Sequence, residues 1–409
     1  MKAIIVGGGI GGLSTALMLH ARGIACEVYE QSEKIQELGV GINTLPHAIK
    51  ELAGLGLLEQ LDAVAIRTEE LFYLTQHGQQ VWYEKRGLSA GHDVPQFSIH
   101  RGRLQSVIHH AVIDRLGADA VQTGCRLGAF HQDEGGVQAY FFDRSGAHVA
   151  SARGDILIGA DGIHSKVRQT FFPAEGPPQW NGLMLWRGAT DWPAFLTGRS
   201  MIIAGGLRAK AVIYPIAPGE GGQQLTNWAI LARVGDGSKP PPRREDWSRI
   251  GRRDELAPYV AGFDIPQVDF AALIAATPEF WEYPCCDRDP LPYWSSGRVT
   301  LLGDAAHPMY PVGSNGASQA ILDARALADC LVQAEHPCQA LADYERQRLQ
   351  LTADIVASNR RGGPEGVIDV VEELAPQGFS DIDTVLDFEA RQAIVRGYAA
   401  KAGFAVPQS

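Results

Sequence analysis

Apolar positions follow three patterns along this chain. In the first, a short unbroken apolar run stops at a glycine: "AIIV" (3–6) before Gly7, "DILIG" (155–159) and "VTLLG" (299–303). Runs of this length closed by glycine predict strands buried on both faces, as in a parallel sheet. In the second, the spacing suits a helix. "LSTALMLHARG" (13–23) predicts one ending at Gly23, before a second strand, "CEVYE" (26–30), and the stretch up to 331 predicts a long helix rich in Ala, Leu and Asp. In the third, polar and apolar residues alternate or aromatic residues crowd together, as in "VWYEKRG" (81–87), "MIIAGG" (201–206) and "LTNWAILARV" (225–234), with Trp186, Tyr214, Trp228, Trp281 and Tyr283 in one block. These stretches predict an antiparallel sheet. "GDGSKPPPRREDW" (235–247) is expected to be a surface loop.

The order of these patterns divides the chain. An α/β domain of Rossmann-like character is expected from 1–74, 98–178 and 286–360, interrupted by a sheet domain from 75–97 and 179–285. The remainder, 361–409, is expected to be helical. Asp369, Glu372 and Glu373 follow one helical pattern and "EARQAIVRGYAAKAGF" another, and both are read as packing on the α/β domain.

Composition narrows the class. With 409 residues, 45% hydrophobic and 20% charged, the chain has material for two cores and no case for disorder. A formal net charge of -11 argues against a general grip on nucleic acid or anionic membrane. Five glycines between Gly7 and Gly12 make the N-terminal apolar stretch a poor signal sequence, and no membrane span is expected elsewhere. The six cysteines show no C-x-x-C pair, so reduced thiols in a cytoplasmic protein are the simplest reading. The adjacent Cys285 and Cys286 are read as buried sulfur, since neighbouring cysteines form a strained ring when bridged. A monomer or homodimer is expected.

The candidate chemistry begins at Gly7-x-Gly9-x-x-Gly12. Gly7 permits the turn, Gly9 lets the backbone approach a pyrophosphate, and Gly12 allows helix and strand to pack closely. The phosphates would rest on the helix N-terminus, where free N–H groups and the dipole favour an anion. Glu30 stands about 20 residues on, where a carboxylate takes ribose hydroxyls and repels a 2'-phosphate. NAD and FAD both satisfy this. Two distant strand ends, Asp161-Gly162 and Gly303-Asp304, would open on the same crevice, and an extended flavin nucleotide needs such loops where NAD does not. Taken singly, Asp161 and Asp304 are equally readable as caps of following turns. His307 is read as a structural hydrogen bonder.

These three motifs, in this order and spacing, resemble the group A flavoprotein aromatic hydroxylases, the class typified by para-hydroxybenzoate hydroxylase. The resemblance implies that Asp304 binds the ribityl hydroxyls, that Asp161-Gly162 lies near the pyrophosphate, and that the loop containing Pro311, Gly313, Asn315 and Gly316 runs along the flavin ring. It places Arg101, in "SIHRGRLQSVI" (98–108), against FAD and Gly41, in "ELGVGIN" (37–43), at the ring edge. "PQFSIHRGRLQ" (95–105), "MLWRGAT" (184–190) and "YPCCDRDPLPYWSSGRVTLLGDAAHPMYPVGSNGASQAILD" (283–323) look more narrowly like the phenazine-1-carboxylate-type hydroxylase of pyocyanin synthesis and its relatives. The likeness runs to about Asn359, after which "RRGGPEGVIDVVEELAPQGF" departs from it.

The resemblance implies a monooxygenase. NADH or NADPH reduces FAD, O2 adds at flavin carbon 4a, and the hydroperoxide hydroxylates an electron-rich aromatic or heteroaromatic substrate. Gly313 and Gly316 would bring backbone close to the ring, and the helix start at Asn315-Gly316 would present N–H groups to the reduced flavin anion. Trp186, Tyr214 and Tyr283 are candidates for the substrate pocket, with core packing as the alternative. Arg187 is the candidate for holding a substrate carboxylate. Decarboxylative or Baeyer-Villiger-type oxygenation on the same scaffold, and a non-catalytic flavin-binding redox sensor, stand as rivals. No metal site is expected.

Overall fold

Strand Lys2–Val6 lies between two parallel neighbours, Ile156–Gly159 and Ala25–Tyr29, in a computed structural model that describes residues 1–35, 40–206, 208–243 and 248–405. Val299–Leu301 and Val121–Gln122 complete this five-stranded parallel sheet at its two edges. Ala3, Ile4, Ile5, Ile156, Leu157 and Ile158 are fully buried, which is why these strands read as unbroken apolar runs. Helices Ile10–His20, Arg101–Leu116 and Gly316–Gln333 pack around the sheet, and Pro337–Arg360 packs on the last of these. Their apolar side chains join the strands in one core.

The second body is a seven-stranded, mainly antiparallel sheet. Its order is Phe280–Asp287, Gln179–Pro193, Gln223–Arg233, Ala209–Pro218, Ser200–Ala204, Glu70–Leu74 and Gln80–Lys85. The expected boundary at 74 cuts through it: Glu70–Leu74 pairs with Ser200–Ala204 and Gln80–Lys85, so this sheet starts at 70. Period two sorts its side chains. Met184, Trp186, Ala209, Ala211, Ile213, Trp228 and Ile230 face helices Arg253–Val260 and Phe270–Ala276 in one core. The intervening residues lie on the opposite face, towards the parallel domain and the C-terminal helices.

The C-terminal helices fall where their patterns predict, at Gly366–Leu374 and Phe388–Ala402, but their packing differs from expectation. Val367, Ile368, Val371 and Val395 join Leu71, Tyr73, Met201 and Ile203 of the seven-stranded sheet, while Tyr398 packs on Ile355 of Pro337–Arg360. The tail therefore bridges both bodies rather than covering the parallel domain alone. Segment 235–243 lies in a loop, and 244–247 lie outside the described residues. No disulfide joins any of the six cysteines. Among the described residues no helix is long and apolar enough to cross a membrane.

Candidate active site

One cleft of about 370 Å³ runs between the two bodies, and segments far apart in sequence converge on it. Gly9, Ile10 and Gly11 line it from the first turn, Ala160 and Gly162 from the second strand end, and Leu302, Gly303 and Asp304 from the third. The glycines of the first turn have different reasons to be glycine. Gly7 has φ +109, and a Cβ there would lie 2.3 Å from the Ala160 carbonyl oxygen; one on Gly12 would lie 2.0 Å from that of Gly7. A Cβ on Gly9 would meet nothing within 4 Å, because it would stand in the cleft. Glu30 accepts the Gly8 N–H at 2.7 Å and the Ser32 N–H at 2.8 Å. Gly7 and Gly12 thus shape the turn from behind, and Glu30 holds the Gly8 peptide.

Asp161 caps, as one of its two readings has it: its Oδ2 accepts the Lys166 N–H at 2.7 Å at the start of helix Lys166–Phe171. Its other oxygen, Oδ1, is buried without a partner beside the cleft-lining Ala160 and Gly162, and burial raises its carboxyl. Asp304 is exposed where it opens on the cleft. Burial raises its carboxyl too, against the pull of His307 and Arg101. Arg101, the first residue of its helix, lines the same cleft; burial lowers its guanidinium and Asp304 opposes the shift. His307 does not line the cleft; its Nε2 lies 2.5 Å from Asp323 Oδ2, in a buried cluster that also holds Arg348.

The 311–316 loop forms the end wall. Pro311, Val312, Ser314, Asn315 and Gly316 line the cleft, and Asn315 Nδ2 is buried without a partner. Gly313 faces away from it. It has φ +69, its N–H donates to Glu365 Oε1 at 3.1 Å, and a Cβ there would meet the Tyr398 hydroxyl. Helices Ile10–His20 and Gly316–Gln333 both begin at the cleft with no side-chain cap, leaving first-turn N–H groups for a ligand. At the opposite edge the Gly41 peptide is held on both sides: its N–H donates to Asn227 Oδ1 at 2.8 Å and its oxygen accepts from Arg187 Nη2 at 2.6 Å. A Cβ on Gly41 would sit 2.7 Å from Ile216 and Tyr214. Residues 37–39 of the "ELGVGIN" segment lie outside the described residues.

The seven-stranded sheet supplies the facing wall. Leu185 and Arg187 line the cleft from one strand, Asn227, Ala229 and Leu231 from the next, and Lys210, Val212 and Tyr214 from the third. Arg187 is half-buried and opens on the cleft, with Nη1 donating to the Tyr283 hydroxyl at 3.1 Å and a buried, unpartnered Nε. Among the described residues no carboxylate pairs with it. Tyr214 is buried at the cleft wall, and burial pushes its hydroxyl up to about 12. Tyr283 stands behind Arg187 without lining the cleft.

Trp186 is a correction. Neighbours on a strand point to opposite faces, so Trp186 turns into the core beneath Tyr259, its Nε1 donating to Glu282 at 3.1 Å. Lys210, Asn227 and Glu365 line the cleft without having been expected from the sequence. The Lys210 signal was a cation at one alternate position of "AKAVIYP", where its period-two partners are apolar. Nothing local marks Glu365, which reaches the cleft from the tail.

The polar set fits an extended flavin nucleotide: an open position at Gly9, two uncapped helix starts, and orphaned donors at Arg187 and Asn315 surround one space, with the orphaned Asp161 oxygen beside it. Among the described residues no group of His, Cys, Asp and Glu could hold a metal ion. A family model described as "FAD binding domain" matches residues 1–253 and 289–359. The chain is 44% identical to a phenazine 1,6-dicarboxylic acid hydroxylase, PhzS, of Lysobacter antibioticus over 362 residues, 87% of this chain and 88% of that one. It is 32% identical to a 3-hydroxybenzoate 6-hydroxylase of Polaromonas naphthalenivorans, covering 89% of this chain and 87% of the other. Among solved structures, HpxO from Klebsiella pneumoniae, complexed with FAD and uric acid, superposes with a TM-score of 0.74 at 25% identity, covering 99% of this chain and 97% of that one.

Proposed function

This chain belongs to the FAD-binding-domain family and is an FAD-dependent aromatic monooxygenase, and from that premise we propose that its substrate is a planar, carboxylated heteroaromatic molecule of the phenazine kind. The observation that carries this reading is Arg187. A guanidinium without a carboxylate partner, opening on a wall of Leu185, Val212, Ala229 and Leu231, is placed to take an anion whose body is apolar. The 44% identity to a hydroxylase of a phenazine dicarboxylic acid supports the ring class.

The chemistry that FAD supplies when bound is two-electron reduction by NADH or NADPH and activation of O2 for transfer of one oxygen atom to the substrate ring. The chain's own residues bind and orient. The N–H groups at Gly9, Ile10 and Gly11 would take the pyrophosphate, with Gly162 giving room beside them. Arg101, Gly303 and Asp304 would hold the ribityl segment. The helix start at Asn315 and Gly316, with Pro311 before it, would present N–H groups where the reduced ring carries negative charge. Gly41 would border the ring edge, its peptide fixed by Arg187 and Asn227. The apolar sheet face and Tyr214 exclude water. Gly313 would serve through its backbone turn rather than by contact. Six free thiols support the cytoplasmic location expected from the cysteine pattern.

The test compares Arg187→Gln with the wild type by titrating the visible spectrum of the bound flavin with an aromatic carboxylate and its primary amide. The expected result is a loss of about 100-fold in carboxylate affinity, a charge-assisted pair being worth up to about 3 kcal/mol, with amide affinity unchanged. Equal losses for both ligands, or none, overturn the reading. Stimulated NAD(P)H oxidation and a product heavier by one oxygen atom complete it.

A further inference from the structure

Three charged groups outside the cofactor wall remain without a task. Lys210, Glu365 and Asp369 come together where strand Ala209–Pro218 meets the tail. Lys210 Nζ lies 3.4 Å from both Glu365 Oε2 and Asp369 Oδ1. Lys210 and Glu365 are 6% and 4% exposed, and both line the cleft. Burying Lys210 and Glu365 beside the half-buried Asp369 is costly, and a structural pair would need only two charges. The count is unbalanced: two carboxylates face one ammonium, so this end of the cleft carries surplus negative charge and unused acceptor capacity. Glu365 accepts one N–H, from Gly313, and faces Lys210 with its other oxygen, whereas an ionised carboxylate offers about four acceptor sites.

The opposite charge lies elsewhere on the same face. Arg187 pairs in register with Ala229 and Ala229 with Val212, while Leu231 pairs with Lys210. Lys210 is therefore two strands across and two residues along from Arg187. Strand spacing and rise put their Cα atoms about 12 Å apart, with only Leu185, Leu231, Ala229 and Val212 between. That span exceeds one benzene ring and suits two or three fused rings.

Resting on the proposed reading of Arg187, we infer that Glu365, set by Lys210, is the recognition group for a hydrogen-bond donor, O–H or N–H, on the end of the fused-ring substrate remote from its carboxylate. Arg187 takes the anionic end and Glu365 the donor end. The surplus negative charge at Glu365 and Asp369 disfavours a second carboxylate there, so this chain selects a monocarboxylate over a dicarboxylate.

The experiment uses the FAD-loaded protein without NAD(P)H, so that no turnover occurs, and reads dissociation constants from the flavin spectrum. The probes are a naphthoic acid with a hydroxyl on the ring remote from the carboxylate, the same acid without the hydroxyl, and the corresponding naphthalene dicarboxylic acid. The wild type is expected to bind the hydroxyl form about tenfold more tightly than the plain acid, and the dicarboxylate more weakly than either. Glu365→Gln, which keeps an acceptor for Gly313, is expected to shrink the hydroxyl preference to about twofold and to improve dicarboxylate binding. A variant with the wild-type preference overturns the inference. If Glu365→Gln fails to retain flavin, the wild-type ranking decides alone: a dicarboxylate bound as tightly as the hydroxyl acid overturns it. If carboxylates bind and depend on Arg187 while the hydroxyl makes no difference, only this inference falls; if no carboxylate binds, both fall.

Discussion

The two walls of the cleft are built from different parts of the polypeptide. The cofactor wall offers backbone: N–H groups at two uncapped helix starts, glycines at strand ends, and carbonyls packed behind them. The substrate wall offers side chains, spread over neighbouring antiparallel strands at alternate positions and completed by Glu365 from the tail. A backbone wall is set by conformation, so a wrong residue there disrupts the fold itself. A side-chain wall rests on strands that persist whatever each outward residue is, so its specificity can change one position at a time.

The strongest way to break that comparison is within the first turn. Gly12→Ala would set a Cβ 2.0 Å from the Gly7 carbonyl oxygen, where neither atom belongs to a flexible side chain. The expected cost is about 3 kcal/mol or more, read as loss of cooperative thermal unfolding and of bound flavin. Gly9 has φ -75, which any residue adopts, and open space beside it. Gly9→Ala should keep the stability of the flavin-free protein within about 0.5 kcal/mol while retaining at least tenfold less flavin after dialysis. Identical behaviour of the two variants would mean that the turn does not distinguish packing from ligand contact.

Next in size is the buried charge behind the cofactor wall. Asp323 is fully buried; its Oδ1 accepts from Arg348 Nε at 2.7 Å, and its Oδ2 accepts the Gly303 N–H at 3.1 Å and lies 2.5 Å from His307 Nε2. Unlike Arg187, this carboxylate meets its charged partners inside the protein, away from the cleft. Burial alone would raise the carboxyl, but His307 and Arg348 outweigh it and hold the group at about 2. A carboxylate whose folded pKa lies below its ordinary value of about 3.9 adds stability above that value and loses it as the pH falls towards the folded pKa. The window therefore runs from about pH 4 down to about pH 2, and the stability at stake is about 2 kcal/mol. Urea unfolding across that range should show the decline. Asp323→Asn should flatten it and cost about 3–5 kcal/mol near neutrality, because Arg348 is left without its carboxylate. Ligand preference should not move.

The same difference between walls decided what could be read from the sequence. Gly7, Gly12 and Gly303 were legible because backbone geometry restricts the residue type there, and Gly9 and the helix start at Gly316 because they stand at fixed places in the same local motifs. The seven-stranded sheet was legible in outline from its alternation, and Arg187 and Tyr214, two of the candidates it offered for the substrate pocket, line the cleft. Of the two readings of Trp186, core packing holds, because adjacent residues of a strand cannot share a face and Arg187 takes the cleft. The sequence alone could not say which of them turned inward, since either parity is compatible with the run. Lys210 and Glu365 were missed because their pairing joins positions 155 apart in the chain, a separation that no local pattern encodes.

The smallest expected effect sharpens the comparison most, because it separates two neighbours. Trp186→Phe loses the Nε1 hydrogen bond to Glu282 and some volume in the core beneath the sheet, at a cost of about 1–2 kcal/mol. Its carboxylate affinity, measured by flavin titration, should stay within twofold of the wild type, whereas Arg187→Gln should lose affinity and little stability. Strand register is what separates the two. Leu185, Arg187, Ala229 and Val212 share the cleft face only if the strands pair as described, and a slip of one residue exchanges the two faces of a strand completely. A loss of affinity in Trp186→Phe equal to that in Arg187→Gln would therefore move the whole substrate wall by one position, and Lys210 and Glu365 would no longer face the same molecule.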